Sequence, residues 1–292
     1  MSRSIDFSGV WIPLVTPFQA SCVDHAALGT LVRRLARQGI AGFVVCATTG
    51  EAPLLSDAER VAVLATVQAN TALPTVMGAS GTTADEVLRR VDAAMRHAPT
   101  AFMVTAPPYL RPSQAALQAF FTTIADAVPA PLVVYDIPAR TGVRIELDTL
   151  LALAAHPRIV ALKDCGGRAD QTEALIADGR LQVLCGNDIE WFSSRCLGGA
   201  GAIAASAHIR TDLFVAFDQA LARGDLVAGR ALWRRLKPLA VGLFDEPSPG
   251  PVKAILASQG ECTNELRAPM TLSSAALQQR LLALVDGLPR EA

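Results

Sequence analysis

The sequence predicts an α/β fold, a (β/α)8 barrel of the TIM type carrying a small C-terminal helical extension. Three observations predict it. Short apolar runs rich in valine and isoleucine recur eight times along the 292 residues. Each run is apolar at consecutive positions, as strands covered on both faces are, and does not alternate as half-exposed strands do. Stretches with helical periodicity lie between them, and such alternation with short connections closes a parallel barrel.

In chain order, Val10–Val15 is the first strand and Asp24–Gln38 the first amphipathic helix. Gly42–Cys46 follows, then Ser56–Asn70, where Ser56 and Glu59 have the S-x-x-E form of a capping box. Pro74–Met77 precedes Ala84–His97, whose start is signalled by Thr82 or Thr83 ahead of Asp85-Glu86. Ala101–Thr105 pairs with Ser113–Ala127, Leu132–Tyr135 with Leu147–His156, and Ile159–Lys163 with Ala169–Ala177. Gln182–Cys185 and Ala202–Ala204 complete the eight. Gly39, Gly179 and Gly198-Gly199 stand where helices end and the chain turns toward a strand. Thr211–Leu243, Pro251–Gln259 and Ser273–Gly287 exceed what eight units need. The predicted division is therefore a barrel over 1–224 and a helical extension over 225–292, packed on the barrel.

Composition narrows the function. Hydrophobic residues are 51% and charged residues 18% of the chain, so a large core is available and disorder is excluded. A net charge of −1 without a basic run argues against nucleic acid, whose binding needs clustered Lys and Arg. No apolar run approaches the length of a membrane span, and the first residues lack the form of a secretory leader. The six cysteines have no CxxC pairing or Cys/His metal spacing, and read as small buried hydrophobes. A cytoplasmic protein without membrane or metal fits this pattern.

In such barrels reactive groups sit at the C-terminal ends of strands. Of 26 basic residues only Lys163, Lys237 and Lys253 are lysines, and Lys163 ends the sixth run. An amine nucleophile must lose its proton, which arginine cannot do, and desolvation at a barrel mouth assists the loss. The structural alternative is an ammonium that caps carbonyls or pairs with Asp164. Both tyrosines lie at neighbouring strand ends, Tyr135 closing the fifth run and Tyr109 just past the fourth. A phenol can relay protons, especially when bonded to a hydroxyl such as Thr48. Thr48-Thr49-Gly50-Glu51 after the second run offers backbone N–H groups for a carboxylate, or is a plain turn capped by threonine. Gly78-Ala79-Ser80-Gly81 lacks the lysine of a P-loop, no dinucleotide fingerprint occurs, and His208 reads as structural.

These residues carry a resemblance. Thr48-Thr49-Gly50-Glu51, the PPYLRP stretch over 107–112, Tyr135-Asp136-Ile137-Pro138-Ala139-Arg140-Thr141, Leu162-Lys163-Asp164, Cys185-Gly186-Asn187-Asp188 and the EPSPGPVK stretch over 246–253 are similar to the dihydrodipicolinate synthase family, in the superfamily that includes N-acetylneuraminate lyase. The resemblance runs nearly end to end. It implies that Lys163 forms an imine with pyruvate, that Tyr135 assists proton transfer, and that Thr48 and Tyr109 complete a hydroxyl relay. Thr49, with Thr48, would hold the pyruvate carboxylate, the carbonyl of Ile203 would line the site, and Arg140 would engage the carboxylate of aspartate semialdehyde. No metal or organic cofactor is implied, since the protonated imine is itself the electron sink. A homotetramer made of two tight dimers is implied as well. A related aldolase or dehydratase acting on a keto-deoxy sugar acid is the alternative within the same chemistry, and a silent keto-acid sensor the alternative outside it. The chain departs from the family pattern at Pro108, Leu110, Ser248 and Gly250. Pro108, Pro53, Asp57, Arg60 and Thr82 stand where lysine-regulated members keep polar ligands, with Glu86 retained, so the expected feedback inhibition by lysine is weak or absent.

Overall fold

The computed structural model describes residues 5–289, so the first four residues of the predicted barrel and the last three of the extension lie outside it. Eight parallel strands form a closed barrel: β1 (Gly9–Pro13), β2 (Gly42–Val45), β3 (Thr75–Gly78), β4 (Ala101–Thr105), β5 (Leu132–Asp136), β6 (Ile159–Asp164), β7 (Gln182–Cys185) and β8 (Gly201–Ile203). Closure comes from β1, which pairs with β8 through Val10 and Ala202 and with β2 through Ile12 and Phe43.

The helices α1 (His25–Ala36), α2 (Asp57–Asn70), α3 (Ala84–Met95), α4 (Gln114–Ala127), α5 (Leu147–Leu153), α6 (Ala169–Asp178), α7 (Trp191–Cys196) and α8 (Thr211–Ala222) surround it. The predicted starts hold where a side chain can bond the first turn. Ser56 and Glu59 form the reciprocal capping box of α2, and Thr83 accepts from the Glu86 amide to begin α3. Gly179 takes φ +75° and ends α6 in the left-handed conformation that glycine adopts freely.

Two features lack a simple sequence period. A small antiparallel hairpin, Phe18–Gln19 with Cys22–Val23, turns through Ala20 and Ser21, both at positive φ without the usual Asn-Gly signal. The helical stretch predicted over Thr211–Leu243 is two helices. Gly224 at φ +76° breaks it, and the Asp225 side chain caps the next helix, α9 (Leu226–Gly242). α10 (Gly250–Ser258) and α11 (Ala275–Asp286) follow.

Inward side chains from alternating strand positions fill the barrel, including Trp11, Val44, Val76, Met103, Val133 and Leu184. With the interior packed in layers, open space is left only at the C-terminal rim. Outward side chains meet the helices in a second core. Trp191 of α7 stacks on Phe214 of α8, and Phe217 stacks on Trp233 of α9, which continues the aromatic packing into the C-terminal helices.

The C-terminal helices are also tied to the rim by charge. Lys253 Nζ of α10 donates to Glu51 Oε1 at 2.5 Å and to the Glu265 carbonyl at 2.9 Å, while Glu51 Oε2 accepts from the Arg267 amide. Both side chains are buried. Removing one member leaves the other charge unpaired in the interior, whereas removing both does not. Lys253→Met should therefore lose about 3–5 kcal/mol in denaturant unfolding, and the double variant Glu51→Leu/Lys253→Met should recover part of it. Equal stability of Lys253→Met and wild type would refute the pair as an anchor.

Candidate active site

β5 and β6 pair in a register that sets Tyr135 beside Lys163 and, one step on, Asp136 beside Asp164. Successive side chains point to opposite faces, so the first pair faces the barrel interior and the second the surrounding helices. Lys163 is 3% exposed, and its Nζ lies 4.2 Å from the centroid of the Tyr135 ring. The predicted alternative of a Lys163–Asp164 pair is not what forms. Asp164 instead accepts from the Gly166 amide at 2.8 Å and from the Thr172 hydroxyl at 2.5 Å.

A cavity of about 260 Å³ at the rim is lined by six of the predicted residues: Thr48, Thr49, Tyr135, Arg140, Lys163 and Ile203. Thr48 and Thr49 sit in the turn after β2. The amides of Gly50, Glu51 and Ala52 bond back to the carbonyls of Ala47 and Thr48, leaving those of Thr48 and Thr49 without a partner among the described residues. Threonine is no helix cap here, because the short turn that follows starts at Glu51 without a side-chain bond. Arg140 stands in a helical turn, Pro138–Thr141, just past β5, where its guanidinium is exposed. Tyr109 is not brought to this cavity. It takes φ +73° and is 91% exposed, with Leu110 beside it also exposed.

Burial sets the chemistry of the central pair. Desolvation pushes the Lys163 ammonium below its ordinary range, against the opposing influence of Cys165, Asp188 and Cys185. The same burial, aided by Cys165, holds the Tyr135 phenol well above its ordinary range, and the Thr48 hydroxyl and Arg140 act the other way. The arrangement offers a free amine as nucleophile and a protonated phenol as proton donor.

Other lining residues were not among the expected site residues: Cys165, Asn187, Asp188, Phe244 and Ser248, although Asn187, Asp188 and Ser248 fall in stretches that carry the family resemblance. Asp188 is buried, and its carboxylate accepts from the amide and hydroxyl of Ser206 at 2.7 and 2.5 Å. The expectation that all six cysteines are buried hydrophobes is corrected. Cys22 and Cys196 are exposed, Cys165 and Cys262 half-buried, and only Cys46 and Cys185 buried. The reason is position, since Cys165 follows the end of β6 and opens onto the cavity. His208 lies away from the cavity. Its Nε2 accepts from the Val15 amide and its Nδ1 bonds the Ala205 carbonyl, with burial lowering its pKa to about 4.

A second cavity of about 460 Å³ adjoins the first through Thr48, Tyr135 and Arg140. Pro53, Arg60, Thr82, Glu86 and Pro108 line it, together with Arg90. Arg90 pairs with Glu86 and Asp57, and Arg60 donates to the carbonyls of Leu55 and Ala52.

Comparison with known proteins gives one family. The sequence profile of the "Dihydrodipicolinate synthetase family" matches residues 6–287. The 4-hydroxy-tetrahydrodipicolinate synthase of Hyphomonas neptunium is 38% identical over 286 residues, covering 96% of this chain and 96% of that one. The synthase of the same name from Limosilactobacillus fermentum is 37% identical over 284 residues, covering 96% and 91%. Among solved structures, the chloride-inhibited dihydrodipicolinate synthase from Acinetobacter baumannii complexed with pyruvate superimposes with a TM-score of 0.92 at 30% identity, covering 96% of this chain and 98% of that one.

Behind the central pair, Asp136 is fully buried. Its Oδ1 accepts from the Ile145 amide and its Oδ2 has no partner among the described residues. Burial, with Asp164 adding to it, raises its pKa from 3.8 to about 7. An acid whose folded pKa lies above its unfolded value stabilises most while protonated. That contribution is complete below about pH 4 and lost as pH rises through about 7. A shift of about three units at about 1.36 kcal/mol each sets a ceiling of about 4 kcal/mol. Asp136→Asn should therefore gain stability relative to wild type between pH 4 and pH 8, approaching that ceiling, in paired denaturant titrations. Parallel pH dependences for the two proteins would contradict the assignment.

Proposed function

The chain belongs to the dihydrodipicolinate synthetase family, and on that footing we propose that it condenses pyruvate with L-aspartate 4-semialdehyde to give 4-hydroxy-tetrahydrodipicolinate, a lyase of lysine and diaminopimelate biosynthesis. The observation that carries the reading is a buried lysine beside a buried tyrosine at the end of a barrel, in one cavity with Thr48, Thr49 and Arg140.

Lys163 acts as the nucleophile. Its neutral amine, favoured by desolvation, attacks the pyruvate ketone carbon. Tyr135 gives a proton to the departing hydroxyl, water leaves, and the imine forms. The cationic imine lies near Asp188, whose pKa is pushed above its ordinary range by burial, while the Ser206 amide and hydroxyl and the Lys163 charge oppose that shift. The Tyr135 phenolate left by the loss of water takes a methyl proton to give the enamine, whose carbon bonds the aldehyde carbon of the second substrate while the phenol returns the proton to the aldehyde oxygen. The amine of that substrate then displaces Lys163 and closes the ring. The free amides of Thr48 and Thr49 receive the pyruvate carboxylate, the Ile203 carbonyl borders it, and the Arg140 fork takes the carboxylate of the semialdehyde.

Tyr109 enters from a second copy of the chain. An aromatic residue held outward on left-handed backbone, with an exposed leucine next to it, suits a self-complementary interface. Within a homotetramer of two tight dimers it would complete the hydroxyl relay through Thr48 to Tyr135. A cytoplasmic address goes with this reading and with six free thiols. No helix among the described residues is long and apolar enough to cross a membrane.

Borohydride with pyruvate should attach a reduced adduct to Lys163, read by mass, and Lys163→Ala should gain none. A coupled assay should register turnover of the semialdehyde ahead of keto-deoxy sugar acids. There Arg140→Ala should raise KM for the semialdehyde roughly tenfold to a hundredfold, as loss of a charged hydrogen bond of about 1.5–3 kcal/mol requires. Background turnover of the semialdehyde would overturn the synthase reading.

The second cavity bears on regulation. Arg60 and Arg90 present two guanidiniums where a lysine ammonium would need acceptors, the Glu86 carboxylate in the same cavity is already paired with Arg90, and Pro53 and Pro108 supply no acceptor from their side chains. Free lysine should leave the rate unchanged at low millimolar concentration, and half-inhibition in that range would refute this.

A further inference from the structure

Lys163 and Tyr135 share a third neighbour that the reaction described above leaves unused. Cys165 is pinned by its backbone. Its amide donates to the Asp136 carbonyl at 2.9 Å, and the Asp164 carbonyl just before it accepts from the Gly186 amide at 2.8 Å. The side chain thereby opens onto the cavity. The packing around it is close. A methyl group built on Gly186 would lie 2.5 Å from Cys165 Sγ and 2.8 Å from both Cγ and Cε of Lys163, so the thiol, the lysine stem and the bare glycine backbone fill one another's space. The ammonium itself lies over the Tyr135 ring, 4.2 Å from its centroid. The thiol also lies close enough to the Tyr135 phenol for each to act on the other's titration.

We propose that Cys165 is a positioning residue of the catalytic centre, its thiol wedging the Lys163 stem against Gly186 while bonding the Tyr135 phenol, so that amine and phenol approach the same carbonyl. The inference rests on the imine reading of Lys163. Two properties of the side chain matter separately. Its volume limits the rotamers open to the lysine. Its polarity orients the phenolic hydrogen, which a hydrocarbon of the same size does not. The thiol is not itself a nucleophile here, since burial raises its pKa to about 12 and leaves no thiolate near neutrality.

The test separates these properties with Cys165→Ser, Cys165→Val and Cys165→Ala, each checked for folding by circular dichroism. It measures the rate of pyruvate-dependent borohydride trapping at Lys163 across pH, with kcat and KM for pyruvate beside it. Cys165→Ser should stay within about threefold of wild type. Cys165→Val and Cys165→Ala should trap roughly tenfold more slowly, in line with the sensitivity of such geometry to small displacements. The loss should fall on kcat more than on KM, and the pH profile should move. Wild-type trapping rates and an unchanged profile in Cys165→Val would reduce the thiol to filler and overturn the proposal. If the valine variant does not fold, the same wild-type behaviour in Cys165→Ala overturns it. A wild-type chain that traps no pyruvate at all would bring down the imine reading, and this inference with it.

Discussion

The active centre depends on one constraint, the parallel register of β5 against β6. Pairing Tyr135 with Lys163 turns two strand-end residues into adjacent members of the same interior layer. The packed layers below them, Val133 and Ala161 among others, leave no lower place for either side chain. A slip of either strand by one residue would send its own member of the pair outward among the helices and bring its aspartate inward. The two pairs therefore have opposite surroundings for a single geometric reason. Reactive groups face a cavity, and the carboxyls behind them hold the loops at Ile145 and Gly166 in place.

Burial governs the titration of this centre more than any single charge. It is the largest influence on Lys163, Tyr135, Cys165 and Asp188 alike. For an amine that must be neutral and a phenol that must keep its proton, desolvation pushes both in the useful direction. Asp188 is the counterweight, accepting from the Ser206 amide and hydroxyl and close enough to favour a cation on Lys163. Burial thus favours the free amine of Lys163, and Asp188 acts the other way.

The C-terminal helices contribute to this site as well as to stability. Phe244 and Ser248 form part of the cavity wall, and the Glu51–Lys253 pair joins the helix after them to the turn that carries Thr48 and Thr49. Phe18 lies beneath the Lys253 ammonium and the Arg267 guanidinium, 4.2 and 4.5 Å from its ring centroid. A charge pair at this depth is costly to desolvate. Its geometry is extended by the Glu265 carbonyl, which accepts a second bond from Lys253, and by the Arg267 amide, which donates to Glu51 Oε2.

By itself the sequence determined the barrel, because a strand buried on both faces must be apolar at consecutive positions and that pattern is local. It likewise determined the start of α2, where Ser56 and Glu59 need only each other, and the prominence of Lys163 and Tyr135 as scarce residue types at strand ends. Tertiary structure alone decided what surrounds them. Cys165 read as a small hydrophobe until closure of the barrel set it against Gly186 and the lysine stem. Lys253 was visible as one of three lysines, but its partner Glu51 lies 202 residues away. Asp188, Phe244 and Ser248 have no periodic signature, and Tyr109, one of the two tyrosines at strand ends, turns outward on a left-handed backbone. Periodicity determines which face of an element is apolar, whereas convergence of those faces is set by strand register and ring closure, which join residues far apart in the chain.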